Sequence, residues 1–409
     1  MTDWSVQLPS TSPALPRGER PATTCSGMVV MVVCHFDDTN PGGGLEKQAG
    51  LLSQRLRDQG ERVVLLSSTR SPLRTGWQQI NGVPVRLFWT YSTPQISGRY
   101  LPAALIWAAQ VALWLLLNRA HIRIVHCHQL RIHAFVAALA TRLLGIPSIL
   151  KSATGGDGAD IRVIGSHKYF GAAGRRFVVR NATKFIATTE SIRDDLLRWG
   201  VPDTKIAVVP NGIDRSRLTQ PPRSARQRHQ RCLYLGRLDQ DKNVLALAAA
   251  ALRHCRELDL TLDFYGKGAQ RAELEALIAD HADNRVRYCG FVDDVAAVLP
   301  DYGYLLLPSN AEGLSNSMIE AMWFGVVPIT TRVSGCVDHI EPGVDGLFMT
   351  GVDAGSLSAT LQGIADIDTE SWLRMSKAAQ AKSQSRFDLD VIGSAYRQLY
   401  AELRVAATP

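Results

Sequence analysis

The chain has 409 residues, 46% of them hydrophobic and 20% charged, which is the composition of a soluble globular protein long enough for two domains. Its net charge of +7 suits an anionic ligand or an anionic membrane surface. Nucleic acid is not expected as a partner, because the sequence has no basic helix and no aromatic-studded basic motif. The seven cysteines include no C-x2-C pair, which argues against a zinc site and favours a reducing cytosol.

The beginning of the chain predicts an extension followed by a strand, a glycine loop and a helix. Residues 1–27 are rich in Pro, Ser, Thr and Arg and predict a flexible extension. The apolar run 28–34 is too short for a signal peptide and predicts a first strand. A loop containing Gly43 and Gly44 follows, and a helix is predicted from Leu45. Such a loop lets backbone amides approach a phosphate, although a plain tight turn explains the glycines equally well.

The segment from Leu101 to Leu117 is the most apolar part of the chain, and Gln110 is its one strongly polar residue. Its length lies at the lower limit for a membrane span, and Pro102 opens it as in a buried or interfacial helix. The arginines around it are Arg99, Arg119, Arg123 and Arg131. In preference to a true span, we predict a core helix with one membrane-touching face. This corresponds to a cytoplasmic protein held peripherally on the inner face of the cell membrane.

Two histidines, His126 and His128, stand at the end of a strand predicted at 122–126. A zinc site would need a third ligand, for which His133 is the only local residue. The commoner explanation of a histidine at a strand end is a structural one. The next predicted strand, 147–152, leads into a second glycine-rich loop.

A charged, proline-containing stretch with few apolar residues separates two β/α halves, and we assign it to a linker at 219–230. The predicted domains are then 28–218 and 231–386. The last predicted helix, within 387–409, packs back on the first domain.

In the second half, polar loops and glycine turns follow the predicted strands. Arg237 and Lys242 lie five residues apart in the first loop, after a strand-end glycine. Exposed cations in a polar loop are most often simply solvated. A strand, a turn at Gly266 and a helix come next. The loop after the following short strand contains Gly290, Phe291 and Val292.

The stretch 304–330 predicts a strand, a polar loop, a helix from about Ser317 and a further strand. The loop stands at the carboxyl end of a strand, where open parallel sheets bind ligands, and the helix N-terminus favours an anion there. Glu312 lies in the loop and Glu320 in the expected first helical turn. Simple solvation would also explain Glu312, and the helix dipole would also explain Glu320. Between them stand Gly313, Leu314, Ser315 and Asn316.

These motifs, in this order, resemble those of retaining glycosyltransferase family 4. Its members have an α/β fold called GT-B, in which two Rossmann-like domains face each other across a cleft. The resemblance implies that the domain 28–218 binds the acceptor and that the domain 231–386 binds a nucleotide sugar. Glu312 and Glu320 resemble the E-x7-E motif, G-R-L-D-Q-D-K-N resembles G-R-L-x-x-x-K-N, and V-H-C-H resembles the H-x-H element. The resemblance covers nearly the whole chain. It departs from the family at Asp338, where a glutamate is usual, and in the second glycine-rich loop.

For catalysis, the resemblance implies that Arg237 and Lys242 stabilise the charge that develops on the donor diphosphate. It implies that Glu312 holds a hydroxyl of the donor sugar, without being a proven nucleophile, and that His128 reaches the same sugar while His126 is structural. The resemblance implies that these cations take the place of a metal ion, so no metal and no other cofactor is expected. The implied reaction retains configuration through front-face attack, and the leaving phosphate takes the acceptor's proton.

For donor binding, the resemblance implies that Glu320 accepts hydrogen bonds from the nucleotide ribose and that Phe291 and its neighbours lie beside the base. The predicted donor-binding residues are Gly43, Gly44, Gly266, Gly290, Phe291, Val292, Gly313, Leu314, Ser315, Asn316 and Glu320.

The predicted function is transfer of a sugar from a nucleoside-diphosphate sugar, with UDP favoured over GDP-mannose, to a lipid-linked or polysaccharide acceptor in bacterial-type surface glycan synthesis. A GT-B sugar-nucleotide epimerase and a non-catalytic nucleotide-sugar-binding protein are the alternatives. A dinucleotide-binding dehydrogenase is disfavoured, because no G-x-G-x-x-G follows the first strand.

Overall fold

The structure, a computed structural model, describes residues 27–36, 43–92, 100–166, 170–218, 224, 228–281 and 284–405. Arg99, nearly all of the predicted extension 1–27 and most of the predicted linker 219–230 lie outside these residues. The described residues form two α/β halves, each built on its own sheet.

The first half contains an eight-stranded sheet. Its strands are β1 (Met28–His35), β2 (Val63–Thr69), β3 (Gly76–Ile80), β4 (Val83–Trp89), β5 (Ile122–His128), β6 (Ser148–Ser152), β7 (Lys184–Ala187) and β8 (Ile206–Val208). Their spatial order is β3-β4-β2-β1-β5-β6-β7-β8, and only the β3–β4 pairing is antiparallel. The helices are α1 (Gly44–Asp58), α2 (Leu101–Leu117), α3 (Ile132–Leu144), α4 (Asp160–Ile164), α5 (Gly171–Asn181) and α6 (Glu190–Arg198).

The second half contains a six-stranded parallel sheet in the order β11-β10-β9-β12-β13-β14. Its strands are β9 (Arg231–Leu235), β10 (Thr261–Tyr265), β11 (Val286–Tyr288), β12 (Tyr304–Leu307), β13 (Val327–Thr330) and β14 (Leu347–Phe348). Its helices are α7 (Val244–His254), α8 (Arg271–Ala279), α9 (Asn316–Trp323), α10 (Ser334–Val337), α11 (Ala354–Ala365) and α12 (Thr369–Arg386), and the last helix of the chain is α13 (Leu389–Val405).

The β1 strand shows why an unbroken apolar run becomes a central strand. Residues 28–33 are all buried, because helices cover both faces of the parallel sheet. Met28, Val30 and Val32 pack into one core with α2 and α3. Val29 and Met31 point to the opposite face and pack into a second core with α1 and α13.

The last helix, α13, belongs to the core of the first half although it follows the second half in sequence. The chain passes between the halves at a short bridge, where Ile213 N–H donates to the Phe387 carbonyl at 2.6 Å and Leu389 N–H donates to the Ile213 carbonyl at 2.9 Å. Beyond it, Ile392, Tyr396 and other apolar residues of α13 are buried against β1 and α1.

The helix α2 has the predicted bounds, and it is only half buried. Trp107, Val111 and Trp114 are fully covered by the core of the first half. The opposite side leaves large apolar side chains exposed at Leu101, Leu105, Ile106, Leu113, Leu116 and Leu117. Within the described ranges, no helix combines the length and apolarity that crossing a bilayer requires.

Candidate functional site

The strand order reverses once in each sheet, between β1 and β5 in the first half and between β9 and β12 in the second. Ligands of open α/β sheets bind beyond the carboxyl ends of the strands at such a reversal. Along the chain, β1 leads to Gly44, β5 ends at His128, β9 leads to Lys242 and β12 leads to Glu312. The topology therefore places the predicted motifs at the two reversals.

The two halves touch at the starts of α1 and α9. Asn316 Nδ2 donates to the Gly44 carbonyl at 3.0 Å, and Asn316 Oδ1 accepts from Asn211 Nδ2 at 2.9 Å. A Cβ at Gly313 would lie 1.8 Å from the carbonyl oxygen of Ala153, so only glycine permits this approach. The loop between the two predicted glutamates therefore lies directly against the first half.

The helix α9 begins at Asn316, and Ser315 is its N-cap, accepting a hydrogen bond from Met318 N–H at 3.3 Å. Leu314 is buried in the core of the second half. Glu320 is the fifth residue of this helix, so the prediction that it lies in the first turn is wrong. The dipole effect falls off within the first turn and does not account for this glutamate.

Glu320 instead forms an ion pair with a residue of the other half. Lys47 Nζ lies 2.6 Å from Glu320 Oε1, and the two residues are 273 positions apart in sequence. Lys47 belongs to the first turns of α1, whose N-cap is Gly43. Sequence reasoning missed Lys47. The sequence shows that Lys47 comes just after the glycine loop, but it does not show which residue pairs with it.

Lys242 and Glu312 are brought together at the reversal of the second sheet. Lys242 Nζ lies 2.8 Å from Glu312 Oε1 and donates to the Ala311 carbonyl at 2.9 Å. The hydroxyl of Ser309 donates to the same glutamate oxygen at 2.7 Å. Lys242 is 8% exposed, so it is a buried, paired cation and not a solvated loop residue.

Arg237 has a different environment from Lys242. Its side chain is 61% exposed and forms ion pairs with Asp239 and, at 3.5 Å, with Asp241. Because the guanidinium itself is exposed and such ion pairs contribute little free energy, it can exchange these partly exposed carboxylates for another anion.

The glycine turn after β10 requires glycine for a spatial reason. A Cβ at Gly266 would lie 1.8 Å from the carbonyl oxygen of Gly236, which follows β9. Gly266 N–H donates to the Gly290 carbonyl at 2.9 Å, and Gly290 has a φ of +85°, which favours glycine. The three glycines thus bring the ends of β9, β10 and β11 close together.

The loop after β11 presents one aromatic ring to solvent. Phe291 is 49% exposed, and Lys267 Nζ lies 4.4 Å from its ring centroid. Val292 is half-buried against the core of the second half. An exposed ring beside a cation is able to stack on a nucleotide base.

His128 is deeper than the resemblance implied. It is 2% exposed, its ring stacks on His126 with centroids 4.4 Å apart, and neither ring nitrogen has a hydrogen-bond partner among the described residues. Burial, helped by the charges of its neighbours, holds the pKa of His128 well below its usual value. No hydrogen bond joins it to Glu312 or Glu320 within the described ranges. His126 lies 2.9 Å from the Tyr400 hydroxyl of α13, and burial lowers its pKa to about 3.

A buried lysine next to His128 was also missed. Lys151 pairs with His128 in the sheet, is 2% exposed, and donates to Asn211 Oδ1 at 2.9 Å. Burial lowers the pKa of Lys151 to about 7. Since Asn211 also donates to Asn316, these residues connect the histidine layer to the start of α9.

Asp338, at the position where the resemblance leads us to expect a glutamate, also bridges the halves. It accepts hydrogen bonds from Ser191 N–H at 2.7 Å and from the Ser191 hydroxyl at 3.0 Å, at the start of α6. Across the described residues, no group of three His, Cys, Asp or Glu side chains is placed to hold a metal ion.

Two family models match this chain. The model for the glycosyl transferase 4-like domain matches residues 43–212, and the model for glycosyl transferases group 1 matches residues 229–366. Together they span most of the two halves described above.

Curated relatives and solved structures agree with these matches. The chain is 28% identical to glycogen synthase from Mycobacterium tuberculosis over 55% of each chain, so it spans about half the length of that relative. It is 26% identical to N-acetyl-alpha-D-glucosaminyl L-malate synthase from Bacillus anthracis over 70% of this chain and 76% of the relative. HepE from Anabaena, solved with UDP and glucose, superposes with a TM-score of 0.71 at 17% identity, covering 92% of this chain and 100% of HepE. The last likeness shows a shared GT-B fold, as the sequence predicted.

Proposed function

Because this chain belongs to the GT-B glycosyltransferases of group 1, we propose that it transfers a sugar from a nucleoside-diphosphate sugar to an acceptor hydroxyl. The proposal depends above all on one observation, the meeting of Lys242 with Glu312 beside the start of α9, where the second sheet reverses. HepE was solved with UDP, with UDP and glucose, and with UDP-glucose, which supports a UDP-linked donor in preference to GDP-mannose.

The donor diphosphate would lie at the N-terminus of α9 between Arg237 and Lys242. Its oxygens would replace the carboxylates that now pair with these cations, and the free amides of Asn316 and Ser317 would face them. Negative charge grows on this group as the glycosidic bond breaks, so these donors act most strongly in the transition state. Arg237 suits a bidentate contact and Lys242 a point charge.

The sugar would lie beside Glu312, whose carboxylate can hold a hydroxyl while the Ser309 hydroxyl, 2.7 Å from Oε1, keeps the carboxylate in place. We propose that the reaction retains configuration through front-face attack. The acceptor oxygen bonds to the anomeric carbon on the face from which the diphosphate leaves, and a phosphate oxygen takes the acceptor's proton. His128, buried behind this point, would reach the sugar only after a local rearrangement.

A donor screen followed by an acceptor assay tests the proposal. We expect one nucleoside-diphosphate sugar to raise the melting temperature, since a ligand at about 100 times its Kd adds about 2.7 kcal/mol of stability. Free nucleotide should then appear only when a glycan or lipid-linked acceptor is added. Nucleotide-sugar isomerisation without acceptor would identify an epimerase, and binding without any turnover would identify a binding protein.

We propose further that no metal ion takes part, because the cations and amides described above can supply the neutralising charge. Transfer should then continue in EDTA at an unchanged rate. Loss of activity in EDTA that Mg²⁺ or Mn²⁺ restores would overturn this part of the proposal.

The surface of the first half suits an acceptor that lies at an anionic membrane. Residues 100–184 contain eleven Lys and Arg but only two Asp. Two of these cations lie below the surface, since Lys151 is 2% exposed and the Arg123 side chain, 7% exposed, pairs with Glu61. Asp160, the acidic residue whose side chain is described there, is fully buried. The exposed apolar side of α2 continues onto α3 at Leu139 and Leu143, and α3 packs on α5. A basic surface with an apolar centre favours peripheral binding to anionic lipid, and hence a lipid-linked or polysaccharide acceptor for a surface glycan.

A further inference from the structure

The ion pair between Lys47 and Glu320 joins the two halves across the cleft. Lys47 stands one turn into α1 and Glu320 just over one turn into α9, and one turn earlier Asn316 donates to the Gly44 carbonyl at 3.0 Å. The first turns of the two helices therefore lie side by side. The Lys47 side chain is 39% exposed, whereas that of Glu320 is 11% exposed.

Stabilisation of the fold does not explain this pair well. An ion pair with a partly exposed lysine contributes little to the stability of a fold. The helix dipole does not explain Glu320 either, because this residue lies beyond the first turn of α9. The pair does, however, orient the carboxylate of Glu320. A carboxylate has two acceptor oxygens, and Lys47 binds Oε1, so Oε2 is left to another donor.

On the basis of the proposed function, we propose that Lys47 is a positioning residue for the donor. It holds one oxygen of Glu320 so that the other faces a hydroxyl of the nucleotide ribose. Since Lys47 comes from the first half and Glu320 from the second, ribose recognition is completed only when the halves are closed. A nucleotide that binds this arrangement better than an open one shifts the population toward closure.

Calorimetric titration of four proteins tests the inference: wild type, Lys47→Met, Lys47→Arg and Lys377→Met. Lys377 is an exposed lysine on α12 and controls for the loss of one positive charge. The probe is whichever of UDP, GDP and ADP the wild type binds most tightly, together with its 2′-deoxy and 3′-deoxy forms. Melting temperatures check that every variant is folded.

We expect Lys47→Met to weaken binding of the ribonucleotide about tenfold, or about 1.4 kcal/mol. Binding of at least one deoxy form should be weakened much less. Lys47→Arg should recover most of the affinity, and Lys377→Met should match the wild type. Equal weakening of all three nucleotides would mean that Lys47 acts on the phosphates. Unchanged or tighter binding by Lys47→Met would mean that the pair is incidental or competes with ribose. Either result would overturn the inference, whereas a wild type that binds none of the diphosphates would remove the proposed function itself.

Discussion

Glu312 and Glu320 have different surroundings, and we predict different kinetic effects on replacing them. Glu320 would contact ribose both before and during the reaction, so Glu320→Gln should mainly raise the KM for the donor. Glu312 would contact the sugar ring, which gains positive charge in the transition state, so Glu312→Gln should mainly lower kcat. Steady-state kinetics on the two variants measure both effects.

A helix glutamate outside the cleft gives the control. Glu273 is exposed in the first turn of α8. Replacing it with Gln should cost a few tenths of a kcal/mol, roughly the weak end of the dipole effect, and leave the kinetics alone. Wild-type kinetics in both cleft variants would show that the spacing of the two glutamates is a coincidence.

The two cations should also differ, because one is exposed and the other is buried in a pair. We expect Arg237→Ala and Lys242→Ala each to lower kcat by about 10²–10³, as loss of a donor to developing charge typically does. Only Lys242→Ala should also lower the melting temperature, because it leaves Glu312 without its cation, at a cost of about 1–3 kcal/mol or more. Near-normal turnover in both variants would remove the diphosphate assignment.

Motif spacing and topology allow some of the site to be predicted, but not its cross-cleft contacts. Arg237, Lys242 and Glu312 follow strands that are recognisable from short apolar runs, so their arrangement at one edge of a sheet could be anticipated. The partners of Lys47 and Lys151 could not, because they depend on how the two halves meet. The first-turn placement of Glu320 failed because the helix begins at Asn316, one residue before the predicted start.

At the scale of elements, the loop before α9 lies so close to the first half that replacing Gly313 tests this contact. A Cβ there would lie 1.8 Å from the Ala153 carbonyl oxygen. We expect Gly313→Ala to reduce turnover at least about tenfold, since a misplacement of about 1 Å can cost 10²-fold in rate. The melting temperature should change little, because the halves can separate slightly instead of unfolding.

The control for this substitution is Gly363→Ala in α11. Its Cβ would meet nothing within 4 Å, and alanine in a helix interior is favoured over glycine by about 1 kcal/mol. This variant should melt at a higher temperature and keep full activity. Equal activity of the two alanine variants would show that the approach of the loop to Ala153 is unimportant.

The elements were predictable where the apolar run and the residues that start or stop a helix agreed. The bounds of α2 equal those predicted from the sequence, because Pro102 favours a helix start and the apolar run stops at Asn118. The edge strand β3 was not predicted, because its sequence, GWQQI, is mostly polar and gives no clear alternation. Its position at the edge of the sheet explains why it needs no continuous apolar face.

At the scale of the whole molecule, the uneven charge predicts membrane binding. We expect the protein to sediment with vesicles of anionic lipid but not of neutral lipid, and to be released in salt of about 1 M, where the Debye length falls to about 3 Å. The double variant Leu113→Asp/Leu116→Asp should bind much less, because both side chains lie in the exposed apolar side of α2.

The control variant is Leu73→Asp. Leu73 is 95% exposed but lies outside this surface, in the turn Pro72–Arg74. It should bind vesicles like the wild type. Sedimentation that persists in high salt and in carbonate would indicate insertion into the bilayer, and equal binding by all three proteins would show that α2 is not the contact.

The return of α13 to the first half also affects the order in which the protein becomes folded during synthesis. Domains generally fold in the order in which the ribosome releases them. Here the core that contains Val29 and Met31 is completed by Ile392 and Tyr396, which follow the whole second half in sequence. The nascent first half therefore waits, with one side of its sheet partly uncovered, until the second half has been translated. That interval is when chaperones would have most to shield, and when a chain halted before α13 would be most prone to aggregate.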